Sequence, residues 1–259
     1  VVWSVLLALL LPLIGGTAYA WNLKRNLDDI DTVKIKTPKA VPDPDEGRAI
    51  NVLLLGSDKG EAKPGQSKKT SISQDASASE WPSGKYRSDT LMVVHIPADR
   101  SRVYLVSIPR DSFVPIYDRD DKTTHSEKIN AAFSAGGPAA AINTVRNLTG
   151  LEIDHLAIID WEGFKDLSTA VGGVEVTIPE SFYDPKQKIR WEAGTQTLEG
   201  KEALAYVRTR YGLIGGDFDR IKRQQNFLRS LMKKMLSNGV TANPAKLSNT
   251  VSALTKNLT

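Results

Sequence analysis

"RSDTLMVVHIPADRSRVYLVSIPRDS" occupies residues 87–112. Two apolar runs stand in it, SDTLMVVHI at 88–96 and RVYLVSI at 102–108, separated by PADRS. Runs of this length and composition, broken by Pro, Asp and Ser, predict two strands joined by a hairpin. Upstream, INVLLLG at 50–56 reads as a further buried strand, and the polar segment 57–87 as a long loop. Downstream the period changes. PAAAINTVRNLTG (138–150) reads as a helix with Pro near its start and Gly beyond its end. IDHLAIID (153–160) follows as a strand, WEGFKDLSTAVGG (161–173) as a helix closed by glycines, and VEVTI (174–178) as a strand. Further helices are expected from about Glu199 and from Asp217 or Phe218 to Ser237, then an amphipathic segment over 238–259. Strands alternating with helices predict an α/β fold: one sheet covered on both faces.

The chain has 259 residues, 41% of them hydrophobic, and a formal net charge of +4. That is ordinary globular composition with enough length for a full core. The modest positive charge permits an anionic partner without demanding nucleic acid. There is no cysteine, which excludes disulfides and thiolate metal sites.

Residues 1–23 carry no charge. A helix of that length spans a hydrocarbon core, and Trp3, Tyr19 and Trp21 stand near its ends as interfacial aromatics do. The competing reading is a cleaved signal peptide, because Ala18-Tyr19-Ala20 is a suitable cleavage site. The run exceeds a signal core, so the expectation is a single-pass membrane anchor. Residues 24–49, charged and proline-containing, then read as a stalk.

Charge is concentrated in "ALAYVRTRYGLIGGDFDRIKRQQ", residues 203–225. Arg208, Arg210, Arg220, Arg223 and Lys222 share this stretch with only two acids, Asp217 and Asp219. Residues two apart share a side only in extended chain, so Arg208 and Arg210 converge if YVRTR is extended. On the helix that follows, a stripe of Ile221, Leu228, Leu231, Met232 and Met235 defines the inward face. Arg220 and Gln224 lie beside it; Arg223 turns toward solvent. Guanidinium forks without paired acids repel one another until an anion arrives, and they match phosphate oxygens in pairs. The helix N-terminus near Asp217 adds its dipole. A solvated basic face is the bland alternative.

A second set of residues points the same way. LLLGSD ends a strand with Asp58, YRSDTLMVV opens another with Arg87 and Asp89, and SIPRDS places Arg110 and Asp111 at a third strand's exit. Ligands bind at strand ends in α/β sheets. Single carboxylates with no histidine cluster suit Mg²⁺, which takes one or two carboxylates plus substrate phosphates. Asp58 and Asp89 are the metal candidates. Other chemistries fall away. GEAKPGQSKKT imitates a P-loop but carries Gln66 where lysine is needed. His95, His125 and His155 lack metal-ligand spacing, and there is no G-x-S-x-G elbow. Basic residues interleaved with aromatics are lacking, which argues against nucleic acid.

In order, GSD, RSDTLMVVHI, SIPRDS, KINAAFSAGG, AIIDWEGFKDLSTAVGGVEV, W-x2-G-x3-LEGKEALAYVRTR and GDFDRIKRQQ resemble the LytR–CpsA–Psr family over about residues 50–237. The resemblance implies a central mixed β-sheet flanked by helices, with a groove or tunnel for a prenyl chain. It implies a membrane-anchored, extracytoplasmic enzyme. That enzyme moves a glycopolymer from a polyprenyl pyrophosphate donor to peptidoglycan. By motif, Asp58 and Asp89 would hold Mg²⁺. Arg87, Arg110, Arg208, Arg210 and Arg220, with Gln224 nearby, would hold the pyrophosphate. Asp89 or Asp111 would take the acceptor's proton unless it is lost late. A pyrophosphatase and a non-catalytic glycan- or lipid-binding module are the alternatives.

Overall fold

The computed structural model describes residues 24–25, 47–59, 72–78, 80–210 and 215–257. The expected anchor at 1–23 and most of the expected stalk lie outside these residues. Among the described residues, no helix is long and apolar enough to cross a membrane.

The chain forms β1 (Ile50–Lys59), α1 (Ile72–Ser77), β2 (Tyr86–Ile96), β3 (Tyr104–Ile108), β4 (Phe113–Tyr117) and β5 (Thr123–Lys128). Then come α2 (Asn130–Thr149), β6 (His155–Asp160), α3 (Trp161–Ala170), β7 (Val174–Ile178), β8 (Phe182–Asp184), β9 (Ile189–Trp191) and β10 (Gly194–Leu198). The helices α4 (Gly200–Arg208), α5 (Gly216–Met235), α6 (Asn238–Thr241) and α7 (Pro244–Asn257) complete it.

The central sheet has the order β3-β2-β1-β6. It is mixed: β1 runs antiparallel to β2 and parallel to β6. Period-two alternation gives its faces different fates. Leu53, Leu55, Leu91, Val93 and Ile158 pack with Phe133, Ile142 and Val145 of α2 into one dense core. Leu54, Met92 and Ile159 look the other way, toward α3, α4 and α5, and line a cavity. Beyond it stands a second core of Leu167, Val176, Trp191, Tyr206, Phe227 and Leu231. The sheet is thus covered on both faces, as the alternation of elements predicts.

Several boundaries differ from the sequence reading. The segment 57–87 is not all loop: β1 continues to Lys59, α1 sits within it, and β2 begins at Tyr86. Three two-stranded pairs, β4 with β5, β8 with β9 and β7 with β10, stand outside the central sheet. The β5 strand is exposed along its whole length, so it shows no apolar alternation to read.

The helix expected from Pro138 is the second half of α2. A break at Gly137 (φ 72°, ψ −158°) joins it to a first half from Asn130. That conformation is essentially reserved for glycine. The space is also closed: a Cβ on Gly137 would lie 2.6 Å from the Trp81 ring. Trp81 clusters with Tyr86 and Phe133 at centroid distances of 5.1 and 5.3 Å. The kink therefore seats the aromatic plug of the first core. Gly150, at the C-terminal cap of α2, has nearly the same φ of 71° but open space around it. We expect Gly150→Ala to cost about 1 kcal/mol, from backbone strain alone. Gly137→Ala should cost about 2–4 kcal/mol, since overpacking against Trp81 adds to strain. Urea unfolding of both variants measures the difference; equal losses would mean that Trp81 yields freely.

Candidate functional site

A cavity of about 530 Å³ runs between the central sheet and α3, α4 and α5. Its walls are apolar: Leu54, Met92, Phe164, Leu204, Phe227 and Leu228 contribute, among others. The chain has three methionines, and all three, Met92, Met232 and Met235, line it. Charge enters the lining through Asp89, Asp160, Asp184 and Lys186 and through Arg110, Arg208, Arg210 and Arg220.

Local sequence explains how these groups reach the cavity. In β1 and β2 the register passes from Gly56↔Thr90 to Ser57↔Ser88, leaving Asp89 as an extra residue in a bulge. A bulge re-aims a side chain that regular alternation would send to the opposite face. Asp89 pairs with Arg110, which leaves β3 just beyond Ile108. The α4 helix ends at Arg208, and Thr209 takes an extended ψ of 129°. The segment YVRTR is therefore extended only at its end. That single turn out of the helix is enough to bring both arginines to the cavity.

The arginines are more fully partnered than the sequence suggested. Asp217, in the first turn of α5, pairs with Arg220 at 2.7 Å and approaches Arg210 at 3.9 Å. Arg208 lies over the Trp161 ring at 3.6 Å. Repulsion nonetheless remains. Burial is the main cause that lowers the Arg220 pKa; Asp217 and Asp89 oppose it, while Arg210 and Arg110 lower it further. Arg220 stays charged, since guanidinium is not deprotonated in proteins. Its side chain is 6% exposed, and its Nε has no hydrogen-bond partner. A buried guanidinium with one donor left over, beside two other arginines, is suited to receive an anion.

Of the expected pyrophosphate residues, the cavity gathers Arg110, Arg208, Arg210, Arg220 and Gln224. Gln224 donates to the Val207 carbonyl at 3.3 Å. Arg87 is not gathered: it is exposed on β2, opposite Asp58 of β1. The Asp58 side chain lies outside the described residues. Among those residues no cluster of three or more metal-ligating side chains forms. Asp111 does not line the cavity. The Lys128 ammonium, 2.9 Å away, is the main influence that lowers its pKa; Arg110 and Arg210 add to this, and partial burial opposes it.

The expectation for Arg223 is overturned. It is buried rather than turned to solvent, lies 5.5 Å from the Phe182 ring, and donates to the Thr209 carbonyl. The fully buried stripe of α5 is Arg220, Arg223, Phe227 and Leu231. A stripe drawn only through apolar residues cannot find an inward arginine. The sequence reading also passed over Trp161, Asp160, Asp184, Lys186 and Gln187, which line the cavity as well. Trp161 follows directly on β6, and the strand-end rule that found Asp58 would have found it. Asp160 caps α3 by accepting from the Gly163 amide at 2.9 Å.

Known proteins share this sequence pattern and fold. The LytR_cpsA_psr family model matches residues 17–259. The chain belongs to the LytR_cpsA_psr family. Cell wall biosynthesis protein LcpA of Corynebacterium glutamicum is 34% identical over 236 residues, 81% of this chain and 44% of that protein. The polyisoprenyl-teichoic acid–peptidoglycan teichoic acid transferase TagV of Bacillus subtilis is 39% identical over 158 residues, 59% of this chain and 40% of that protein. The chain thus spans less than half the length of these two curated relatives. The B. subtilis TagV crystal structure superposes with a TM-score of 0.64 at 32% identity, covering 83% of this chain and 74% of that one. The mixed α/β architecture is therefore that of the LytR_cpsA_psr family.

Asp184 gives this region a pH signature. It is 1% exposed. Burial, the largest influence, raises its pKa. Hydrogen bonds from the Gln187 side chain and amide and from the Lys186 amide outweigh it and hold the carboxyl below its ordinary 3.8. A depressed carboxylate contributes stability above its unfolded pKa and loses it as pH falls through the folded value. We expect thermal stability to decline on acidification below about pH 4. Asp184→Asn should flatten that decline while lowering stability near neutrality, read from melting temperatures across the range. An unchanged acid slope would remove Asp184 from the account.

Proposed function

We propose that this chain is a phosphotransferase that moves a glycopolymer, as its glycosyl phosphate, from a polyprenyl pyrophosphate carrier to peptidoglycan. The observation that carries the reading is the union of an apolar cavity with a partly desolvated arginine cluster. A prenyl tail needs apolar walls, and its pyrophosphate needs paired donors where the tail ends. Methionine side chains adapt to irregular flexible partners, which suits walls that receive a branched polyisoprene. The TagV relative is named for transfer of polyisoprenyl-linked teichoic acid to peptidoglycan. For this chain the polymer stays open among wall and capsular glycans.

In this reading the acceptor hydroxyl attacks the phosphorus that bears the glycan. A new P–O bond forms to the acceptor, the bond to the bridging oxygen breaks, and polyprenyl phosphate leaves. Arg110, Arg210 and Arg220 hold the phosphoryl oxygens and take up the charge that grows on the leaving phosphate. Arg208, stacked on Trp161, presents its fork in a fixed plane. Positioning and charge neutralisation supply most of phosphoryl-transfer catalysis. A loose transition state asks little of a base, so the hydroxyl proton is lost late, to water. Asp111 lies off the cavity and is not assigned that task.

Magnesium fits the donors present. Asp89 offers a hard carboxylate, 40% exposed, beside the arginines. By motif Asp58 would join it, and two carboxylates with substrate phosphates are a set that Mg²⁺ accepts. A bound ion would neutralise phosphate charge. The proposed carrier is a membrane lipid, so the reading puts the domain on the extracytoplasmic side of the cell membrane, with residues 1–23 as its single-pass anchor.

The test incubates the protein with a synthetic lipid-pyrophosphate glycan, with and without peptidoglycan, and weighs the products. Transfer gives acceptor heavier by one glycosyl phosphate. Arg208→Lys and Arg210→Lys should each lower turnover by about 10²-fold or more, because lysine keeps the charge and loses the fork. Arg229→Lys, on the exposed face of α5, should leave it unchanged. Glycan phosphate released to water would indicate a hydrolase. An intact donor would indicate a binding module.

A further inference from the structure

Thr209 stands between Arg208 and Arg210, both of which line the cavity, yet Thr209 is fully buried. Its hydroxyl donates to the Ala205 carbonyl at 3.0 Å and accepts from Gln187 Nε2 at 2.8 Å. Its own carbonyl accepts from Arg223 Nη2. Gln187 Nε2 also reaches Asp184 Oδ2 at 3.0 Å and the Ala205 carbonyl at 3.1 Å. Asp184, at the end of β8, accepts from the Lys186 and Gln187 amides at 2.9 and 3.1 Å. Elements far apart in sequence thus meet on one residue: the β8–β9 turn grips the hydroxyl, and α5 grips the carbonyl.

The arrangement is expensive. Arg223 is 6% exposed, and its Nε and Nη1 find no partner. Burial is the largest influence on its pKa and lowers it; Tyr206, Asp219 and Asp184 oppose that shift. A buried arginine that satisfies one carbonyl and leaves two donors orphaned costs more than the bond returns, if stability alone is counted. An apolar side chain would fill the same stripe of α5 more cheaply. What the bond fixes is the one exposed-to-buried turn at which α4 stops.

We infer that Arg223, Gln187 and Asp184 are positioning residues that clamp Thr209, so that Arg208 and Arg210 are held at the separation and orientation that a pyrophosphate requires. The inference rests on the phosphate reading above and deepens it. Neighbouring side chains alternate outward on either side of a pinned residue, so a shift of the pin displaces both arginines together. Such displacement, of the order of 1 Å, is enough to cost about 10²-fold in rate.

The test separates positioning from mere support. Thr209→Val keeps shape and burial but loses the hydroxyl; Thr209→Ser restores the hydroxyl; Arg223→Gln removes the cation. Each variant is titrated with geranylgeranyl pyrophosphate and with geranylgeraniol, which shares the tail and lacks the phosphates. We expect Thr209→Val and Arg223→Gln to weaken pyrophosphate binding about tenfold or more, leave the alcohol unchanged, and Thr209→Ser to recover most of the loss. Parallel loss of both ligands, or no loss of either, would overturn the clamp. Guanidinium Nε–Hε resonances of Arg208 and Arg210 give a ligand-free reading. Ordered signals that broaden or shift in Thr209→Val support the clamp, and signals indifferent to the substitution refute it. Wild-type protein that binds the alcohol but not the pyrophosphate would refute the phosphate reading itself, and the resonances would then decide the clamp alone.

Discussion

Like charge confined beside apolar walls is the constraint on which this molecule turns. Burial is the main influence that lowers the Arg220 pKa, and the neighbouring Arg210 and Arg110 lower it further. In water such repulsion would be screened to little; half-buried, it is not. Asp89 and Asp217 offset part of it. They are surface-reaching carboxylates, 40% and 37% exposed. A doubly charged phosphate group arriving from the cavity can share those guanidinium groups without first unfolding anything.

The sheet makes such a site affordable by dividing its labour. One face, built on Leu53, Leu55, Leu91 and Val93, is packed to completion against α2. That core includes the Trp81–Tyr86–Phe133 aromatic cluster and needs no ligand. The opposite face is left incomplete, and its Leu54, Met92 and Ile159 are wall rather than core. A single register irregularity between Gly56 and Ser57 then brings a carboxylate, Asp89, to the incomplete face. Stability and binding are thus carried by alternate residues of the same strands.

Much of this was legible in the sequence, for definable reasons. The strands of the central sheet are apolar runs with turn residues at their ends, and α3 and α5 have strong helical periodicity. Arg208, Arg210, Arg220 and Gln224 were found because guanidinium crowding is visible in one dimension. What escaped depends on three dimensions. The β4–β5 hairpin has an exposed strand with no alternation to detect. Arg223 was assigned to solvent because charge usually outweighs position on a helical wheel; here a backbone carbonyl in need of a donor decides otherwise. Gln187 carries no local signal. Its partners are Asp184, three residues before it, and Thr209, 22 residues beyond, so only the folded chain assembles them.

The apolar and polar halves of the cavity are not independent. In the proposed reading, a prenyl tail lodged against Met232, Met235, Leu228 and Phe164 would displace water from the same enclosure that Arg208, Arg210 and Arg220 line. Removal of that water lowers the local dielectric, which strengthens every contact between guanidinium and phosphate. Tail binding is therefore worth more than its own apolar area, and phosphate binding without a tail is worth less than its charge. Such coupling would give the proposed site a means of preferring a lipid-linked pyrophosphate over free phosphate without a dedicated contact to reject the latter. It also gives the three methionines a task that rigid aliphatic residues would perform less well. The walls must close on a mobile chain from several sides before the charges behind them are fully felt.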